Sequence, residues 1–441
     1  MRLLPNEFRP KDLARRPFVR NVAILASGSA ASQAITISFA PIITRTYGPE
    51  SFGLQGVFVS VMGLLTTVAA LGYPTAIVLP RSDLDGLSIG RLSIYIGVVM
   101  TAVVTLMLAL FGNSILETLN AEAIAPFIYL IPFAMMISVI ATVLGQWLIR
   151  KKAFRITAKY GVASAFVINS AKAVAGWIAP TANTLIVTNT FGQLFGTLLT
   201  YWGWRRSDPE TAHSQTEGGC PRTIWQLAKD HADFPLLRTP QNLINAFSQS
   251  LPVLLLASFF GAASAGQYSI ALAVLGMPSA LIAGSVMSVF YPRITEAIYN
   301  NEGARGLIVK ATVGMAIIGA LPYLAILIAG PFLFEFVFGQ DWHTAGLYGQ
   351  LLAIWLFFQF INKPVVAAIP PLRLQGGLLV YEILSTGTKI VALWVGFVYF
   401  ESDIVAVGIF SASGVAAYVW LIFWVIQKSG AYRVNDVDEK V

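Results

Sequence analysis

The chain has 441 residues, of which 56% are apolar and only 12% carry a charge. Because soluble domains carry about 25% charged residues, this composition excludes a soluble enzyme, a nucleic-acid-binding domain and a disordered chain. A mean hydropathy of +0.69 indicates a polytopic membrane protein instead. One helical span needs about 20 apolar residues, so the chain is long enough for about twelve.

Apolar runs of the length of a membrane span follow one another along the whole chain and predict twelve transmembrane helices. In the first half they lie near 22–44, 53–80, 92–112, 125–148, 160–179 and 183–204. In the second half they lie near 239–260, 267–291, 309–330, 344–369, 376–399 and 403–427. The polar stretch 205–237 between the two sets predicts a linker.

The basic residues alternate between the two sides of this predicted bundle. With the N-terminus inside, 25 of the 29 Lys and Arg residues fall on the inner side, and only Arg45 falls outside. Cytoplasmic loops are enriched in Lys and Arg, so both termini and the linker are predicted to be cytoplasmic. The net charge of +7 therefore indicates topology rather than a nucleic-acid partner. Cys220 is the only cysteine in the sequence, so the chain cannot form an internal disulfide.

The two halves of the sequence share short patterns at nearly constant offsets. Span five contains Lys172-x-Val-Ala-x-Trp177, and span eleven contains Lys389-x-Val-Ala-x-Trp394. Ser-Gln, Ser-x-Gly and Pro-Arg pairs match in the same order. The prediction is a duplicated all-α membrane protein with an N-terminal lobe 1–204, a linker 205–237 and a C-terminal lobe 238–441. Six spans in each half make the repeat parallel, with a substrate path between the lobes.

Amide and hydroxyl side chains form stripes at helical spacing on four of the predicted spans. An unpaired amide in hydrocarbon costs several kcal/mol, so these stripes are expected to face inward. One interpretation is interhelical hydrogen bonding, and the other is the wall of a water-filled substrate path, which the paired stripes on spans one and seven favour. The amides assigned to the path are Gln33, Asn189, Gln193, Asn245, Gln249, Gln359 and Asn362.

Four ionisable residues lie inside predicted spans, where charge is costly and usually faces a pathway. They are Lys172, Lys363, Glu382 and Lys389. Their summed charge of +2 suits an anionic substrate, since lysine binds phosphate as a point charge. The structural alternative is that the lysines snorkel to the membrane surface.

The sequence contains no sign of catalysis. It has no G-x-x-x-x-G-K-[ST] phosphate-binding loop, no nucleophile–base motif and no histidine cluster for a metal. We therefore expect a secondary transporter without a cofactor rather than an enzyme. Coupling to a Na⁺ or H⁺ gradient is compatible with this expectation, and Glu382 is the only acid well inside a span.

Several loop segments resemble the bacterial polysaccharide flippases, the Wzx-type O-antigen transporters of the multidrug/oligosaccharidyl-lipid/polysaccharide superfamily. The similarity extends over nearly the whole chain. The segments that carry it are Arg45–Gly53, Asp233-Phe-Pro235, Gly266-Gln-Tyr268, Pro292-Arg293, Phe338–Trp342 and Ala345-Gly346. The resemblance implies a MATE-like fold of two six-helix lobes and alternating access at the bacterial inner membrane.

The resemblance also implies a substrate, an oligosaccharide linked to undecaprenyl diphosphate and moved to the periplasmic leaflet. A polysaccharide polymerase and glycosyltransferases are then candidate partners besides the bilayer. Two alternatives remain at this stage, namely a multidrug cation exporter of the same fold and a non-transporting scaffold of a polysaccharide synthesis complex. An exporter of cations would need acids in its lobes, and a scaffold would need no wet interior.

Overall fold

The structure, a computed structural model, describes residues 17–80, 82–118, 122–207, 222–299, 302–372 and 374–431. The regular secondary structure of these residues is entirely helical, with no strand. Cys220, Arg81, Arg373, most of the basic N-terminal segment, the centre of the predicted linker and the C-terminal tail lie outside the described residues.

A long helix occupies each of the twelve predicted ranges. The first six are α1 (Pro17–Thr46), α2 (Pro49–Ala69), α3 (Asp83–Thr118), α4 (Leu130–Arg150), α5 (Phe154–Ile178) and α6 (Ala182–Ser207). The second six are α7 (Thr239–Phe260), α8 (Ala262–Tyr299), α9 (Ala304–Phe338), α10 (His343–Ile361), α11 (Gln375–Phe400) and α12 (Asp403–Ala431). The prediction of an all-α membrane protein is confirmed.

Within the described ranges, nine helical segments are long and apolar enough to cross a membrane by length and composition. The long helices outside this group are α1, α6 and α8. The helices α1 and α6 carry two of the predicted polar stripes, which lowers their apolar character. Helices satisfy their own backbone hydrogen bonds, so such helices can still cross a bilayer when their polar faces are covered.

Contacts between residues divide the chain into two compact units, with the division between Ser250 and Leu251, inside α7. The first half of α7 accordingly packs on the first unit, where the Ser250 hydroxyl donates a hydrogen bond to the Ser60 carbonyl at 3.2 Å. The predicted lobe boundaries and the internal repeat stay predictions.

In the first unit, α5 packs between α1 and α6. Gly28 of α1 lies against Ala158, and Tyr47 beyond its other end lies against Gly176, so α1 and α5 run in the same direction. Gly192 of α6 lies against Ile168, and a Cβ at this position would come within 2.6 Å of the isoleucine side chain. Gly196 lies against Ser164 and Gly203 against Tyr160, which makes α5 and α6 antiparallel. These directions agree with alternating membrane crossings.

The second unit shows the same alternation of helix direction. Gly330 of α9 approaches the Gly346 carbonyl of α10, where a Cβ would lie only 2.6 Å from that oxygen. Further along the pair, Gly319 lies against Phe360, so α9 and α10 are antiparallel. The Ser411 hydroxyl of α12 donates to the Leu351 carbonyl of α10 at 2.6 Å.

The loop segments that carry the family resemblance have structural roles at helix ends. In the second unit the buried Gln267 amide donates to the Asp341 carbonyl at 2.7 Å and accepts from the Ala345 N–H at 2.8 Å. Trp342, between these partners, is buried. In the first unit the Tyr47 hydroxyl donates to the Lys172 carbonyl at 3.0 Å. These contacts therefore join neighbouring helices.

Part of the predicted linker folds onto the first unit. A short helix, Ile224–Asp230, begins with a capping box between Thr223 and Gln226, and its Leu227 is buried in a cluster that includes Tyr73 and Trp147. The neighbouring end of α4 is held by an ion pair between Arg150 and Asp83 at 2.9 Å.

Candidate substrate pocket

A pocket of about 370 Å³ opens inside the first unit, between the C-terminal half of α2, the turn that follows it, the middle of α4 and the start of α7. Its lining residues are Thr66, Thr67, Ala70, Gly72, Pro74, Thr75, Ser138, Val139, Thr142, Asn242, Asn245 and Ala246. Most of them carry a hydroxyl or an amide and none carries a charge. The pocket is therefore polar but electrically neutral.

The hydroxyls of this pocket are arranged so that their oxygen atoms can accept. The Thr67 hydroxyl donates to the Gly63 carbonyl at 2.8 Å, and the Thr142 hydroxyl donates to the Ser138 carbonyl at 2.7 Å. A hydroxyl has one proton and two lone pairs, so each oxygen can still accept from a ligand. The amides of Asn242 and Asn245 are exposed and supply both donors and acceptors.

The polar stripe of α6 reaches this pocket through Ser138. The Gln193 amide donates to the Ser138 hydroxyl at 2.7 Å. Asn189 lies one turn along α6 on the same face, and its carbonyl oxygen accepts from the Lys172 ammonium at 3.2 Å. Five helices, α2, α4, α5, α6 and α7, thus contribute to one polar region that contains Lys172, Asn189, Gln193 and Asn245. These four predicted site residues are brought together by the fold.

Lys172 has an amide rather than a carboxylate as its partner. Among the residues that the structure describes, no carboxylate lies within ion-pair distance of its ammonium group. An amide oxygen orients the ammonium without neutralising it. The polar region therefore keeps a positive charge that an anion could approach.

The second unit contains five of the eleven predicted site residues, and their surroundings differ. The Gln359 amide donates to the Tyr418 hydroxyl at 3.1 Å. Asn362 follows α10 and is only 2% exposed, and its side-chain oxygen has no hydrogen-bond partner among the described residues. Lys363 and Glu382 are half-buried.

Lys389 contacts aromatic rings instead of an amide. Its ammonium nitrogen lies 5.2 Å from the centre of the Trp355 ring and 6.0 Å from that of Phe410. Such rings attract a cation through their negative faces. Lys172 and Lys389 therefore occupy different surroundings, although they share one sequence pattern.

Gln33 on α1 and Gln249 on α7 are exposed. Neither side chain forms a hydrogen bond with another described residue. Their predicted place on the substrate path stays a prediction.

The amide stripes did not identify the hydroxyl residues of the pocket, Thr66, Thr67, Thr75, Ser138 and Thr142. A signal was present in part, because Ser138 and Thr142 stand four residues apart in the otherwise apolar α4. Single hydroxyls in membrane helices usually bond their own backbone, so only the packing of three helices around them distinguishes a pocket wall. Within the described residues there is no group of three metal-binding side chains.

The fold of the chain is similar to the folds of solved membrane transporters. It is similar to a multidrug-resistance MATE family transporter of the MOP superfamily in an inward-facing conformation, with a TM-score of 0.74 over 91% of this chain and 98% of the other, at 14% identity. It is also similar to the lipid II flippase MurJ in an inward closed conformation, with a TM-score of 0.70 over 93% and 90% of the two chains, at 12% identity. At these identities the likeness establishes the fold.

The sequence identifies the family to which the chain belongs. Residues 42–346 match the family model described as "Polysaccharide biosynthesis protein", and the chain belongs to this family. It is similar to the lipopolysaccharide biosynthesis protein WzxC of Escherichia coli strain K12, with 21% identity over 326 residues, which are 74% of this chain. The chain spans 64% of the length of that relative.

Proposed function

We propose that this protein is a flippase that moves a lipid-linked oligosaccharide, carried on undecaprenyl diphosphate, across the bacterial inner membrane for polysaccharide biosynthesis. The observation that carries this proposal is the neutral pocket of hydroxyls and amides connected to Lys172. Sugars present many hydroxyl donors and acceptors, which such a wall can satisfy without charge. A lysine beside it suits the diphosphate.

Family membership and the likeness to WzxC support the same proposal. The fold is shared by a lipid II flippase, whose name describes a lipid-borne cargo. The lipid tail would stay in the bilayer while the pocket holds sugar. In this proposal the protein is a transporter rather than an enzyme, and a Na⁺ or H⁺ gradient drives its cycle. Its partners are the polymerase and the glycosyltransferases of the same polysaccharide.

The two alternatives fit the pocket less well. An exporter of cationic drugs would need acidic side chains in its path, and none lines the pocket of the first unit. A scaffold would gain nothing from a pocket whose wall exposes amides inside a bundle of membrane helices, because an unpaired amide costs free energy in apolar surroundings. The MATE fold alone does not distinguish an exporter from a flippase.

The proposal can be tested with a variant in which a large side chain fills the pocket. In a strain that lacks the gene, the Ser138→Phe variant should fail to restore surface polysaccharide and should accumulate lipid-linked repeat units on the cytoplasmic side. The matched control is Ile140→Phe, which places the same ring two residues away on an exposed position of α4. Export by Ser138→Phe at the control level, with equal protein in the membrane, would contradict the proposal.

A further inference from the structure

A second cavity lies in the second unit, far along the sequence from the candidate pocket. Its volume is about 710 Å³. The lining residues are Arg305, Phe358, Ile361, Val419, Ile422, Phe423, Ile426, Gln427 and Gly430. We call this cavity the α9–α10–α12 groove, after the three helices that form it.

The groove is apolar along its length and polar at one end. Six of its lining side chains are aliphatic or aromatic, and Phe423 among them is strongly exposed. The remaining three residues are Arg305 in the first turn of α9 and Gln427 and Gly430 in the last turns of α12. The polar end therefore coincides with the helix ends that the charge pattern predicts to be cytoplasmic.

The length of the groove matches one leaflet of a bilayer. Val419 and Gly430 lie eleven residues apart on α12, which corresponds to about 16 Å along the helix axis. The hydrocarbon core of a bilayer is about 30 Å thick, so one leaflet fills about half of that depth. An acyl chain that enters from the cytoplasmic side would follow the apolar wall over its whole length.

Arg305 is placed to bind the head group of such a lipid. Its side chain is exposed, and it has no ion-pair partner among the residues that the structure describes. The stem of Arg305 lies against Gly430, where an added Cβ would come within 3.3 Å of the arginine Cδ. The absence of a side chain at Gly430 thus leaves room for the guanidinium at the mouth of the groove, with the exposed Gln427 amide on the same rim.

We propose that the α9–α10–α12 groove binds one anionic phospholipid of the cytoplasmic leaflet, with an acyl chain along the apolar wall and the phosphate on Arg305. The cytoplasmic leaflet carries negative lipids that attract basic residues, and guanidinium matches phosphate geometry with two parallel hydrogen bonds. This lipid is a resident ligand of the second unit and is distinct from the transported substrate.

The experiment measures lipids retained by the purified full chain in native mass spectrometry. The probes are phosphatidylglycerol and phosphatidylcholine with identical acyl chains. We expect phosphatidylglycerol to bind about tenfold more tightly, with one high-affinity site per chain. Arg305→Gln should lower that preference to about twofold, because a basic group at the membrane surface contributes about 1 kcal/mol or more. Inorganic phosphate should not displace the lipid.

Two variants control for the site. Lys310→Gln removes an exposed charge from the same helix, five residues away and outside the groove, and should leave the preference unchanged. Ile422→Trp fills the groove and should weaken binding of both lipids. The proposal is wrong if Arg305→Gln keeps the full preference. It is also wrong if an undecaprenyl diphosphate displaces phosphatidylglycerol one for one, because the groove would then hold the tail of the substrate.

Discussion

At the scale of single residues, the candidate site depends on polar groups whose partners are neutral. Lys172 bonds to an amide, Gln193 bonds to a hydroxyl, and the amides of Asn242 and Asn245 line the pocket. In a membrane protein such groups are retained at a cost in stability. We therefore expect their concentration in one region of the first unit to serve ligand binding.

Water access to this pocket can be measured directly. In a variant in which Cys220 is replaced by serine, a cysteine at Asn245 should react with a membrane-impermeant thiol reagent, because the thiolate that reacts forms only in water. Val103→Cys, on an exposed but apolar part of α3, is the control and should stay unreactive. An unreactive Asn245→Cys in resting and transporting membranes would mean that the amide only joins helices.

The charge of Lys172 is expected to act on the substrate rather than on folding. Lys172→Gln keeps a hydrogen-bonding group beside Asn189 and removes the charge. Since a charge-assisted hydrogen bond contributes about 1.5–3 kcal/mol, the affinity for a diphosphate head group should fall roughly 10- to 150-fold. The measurement is binding of a short-chain polyprenyl diphosphate to purified protein, with unfolding temperature measured alongside.

Two further variants provide a control for that binding measurement and a test of the second lysine. Lys159→Gln removes an exposed charge from the same helix, α5, and should bind like the parent protein. Lys389→Gln tests whether the second lysine of the shared pattern has an equivalent role, and we expect the double variant to lose more affinity than either single one. Unchanged binding by the double variant would remove both lysines from the substrate path.

At the scale of helices, small residues determine which faces meet. The pair Gly192 and Gly196 on α6 packs on α5, with Gly192 against Ile168 and Gly196 against Ser164. This contact holds Asn189 and Gln193 in the positions from which they reach Lys172 and Ser138. This pair of glycines thus has a structural role and positions the polar stripe next to it.

Enlarging one of these glycines should separate the two helices. Gly192→Leu introduces a Cβ that would lie 2.6 Å from Ile168, and overpacking of this kind costs about 1–3 kcal/mol. Gly145→Leu on α4 is the matched control, because a Cβ there meets nothing within 4 Å. We expect a lower unfolding temperature in detergent for Gly192→Leu only. Equal temperatures for both variants would show that α6 does not pack closely here.

At the scale of the whole molecule, the main prediction concerns topology. Parallel α1 and α5, antiparallel α5 and α6, and antiparallel α9 and α10 agree with twelve alternating crossings. With 25 basic residues on one side, the linker and both termini are expected in the cytoplasm. Reporter fusions after Ser214 and at the C-terminus should fluoresce as cytoplasmic reporters. An active periplasmic phosphatase at either position would contradict this orientation.

The number and order of the twelve long helices follow from the sequence alone, although α2 ends at Ala69 rather than near residue 80 and the predicted linker contains a short helix, Ile224–Asp230. Hydrophobicity and helical spacing are local properties of the sequence. A helix over a run such as 183–204 can therefore be predicted without knowledge of the helices that pack on it, and α6 covers that range. Asn189 and Gln193 stand four residues apart and so belong to one stripe, and loop motifs such as Phe338–Trp342 indicated the family. What a stripe faces, however, is not a local property.

Which polar groups meet depends on how the helices pack. The pocket combines α2, α4 and α7, and the contact between Gln193 and Ser138 joins residues 55 positions apart. Lys172 and Lys389 share a sequence pattern, yet one lies beside an amide and the other over aromatic rings. Side-chain partners depend on the packing of helices that are distant in sequence, and spacing within a single helix carries no information about that packing.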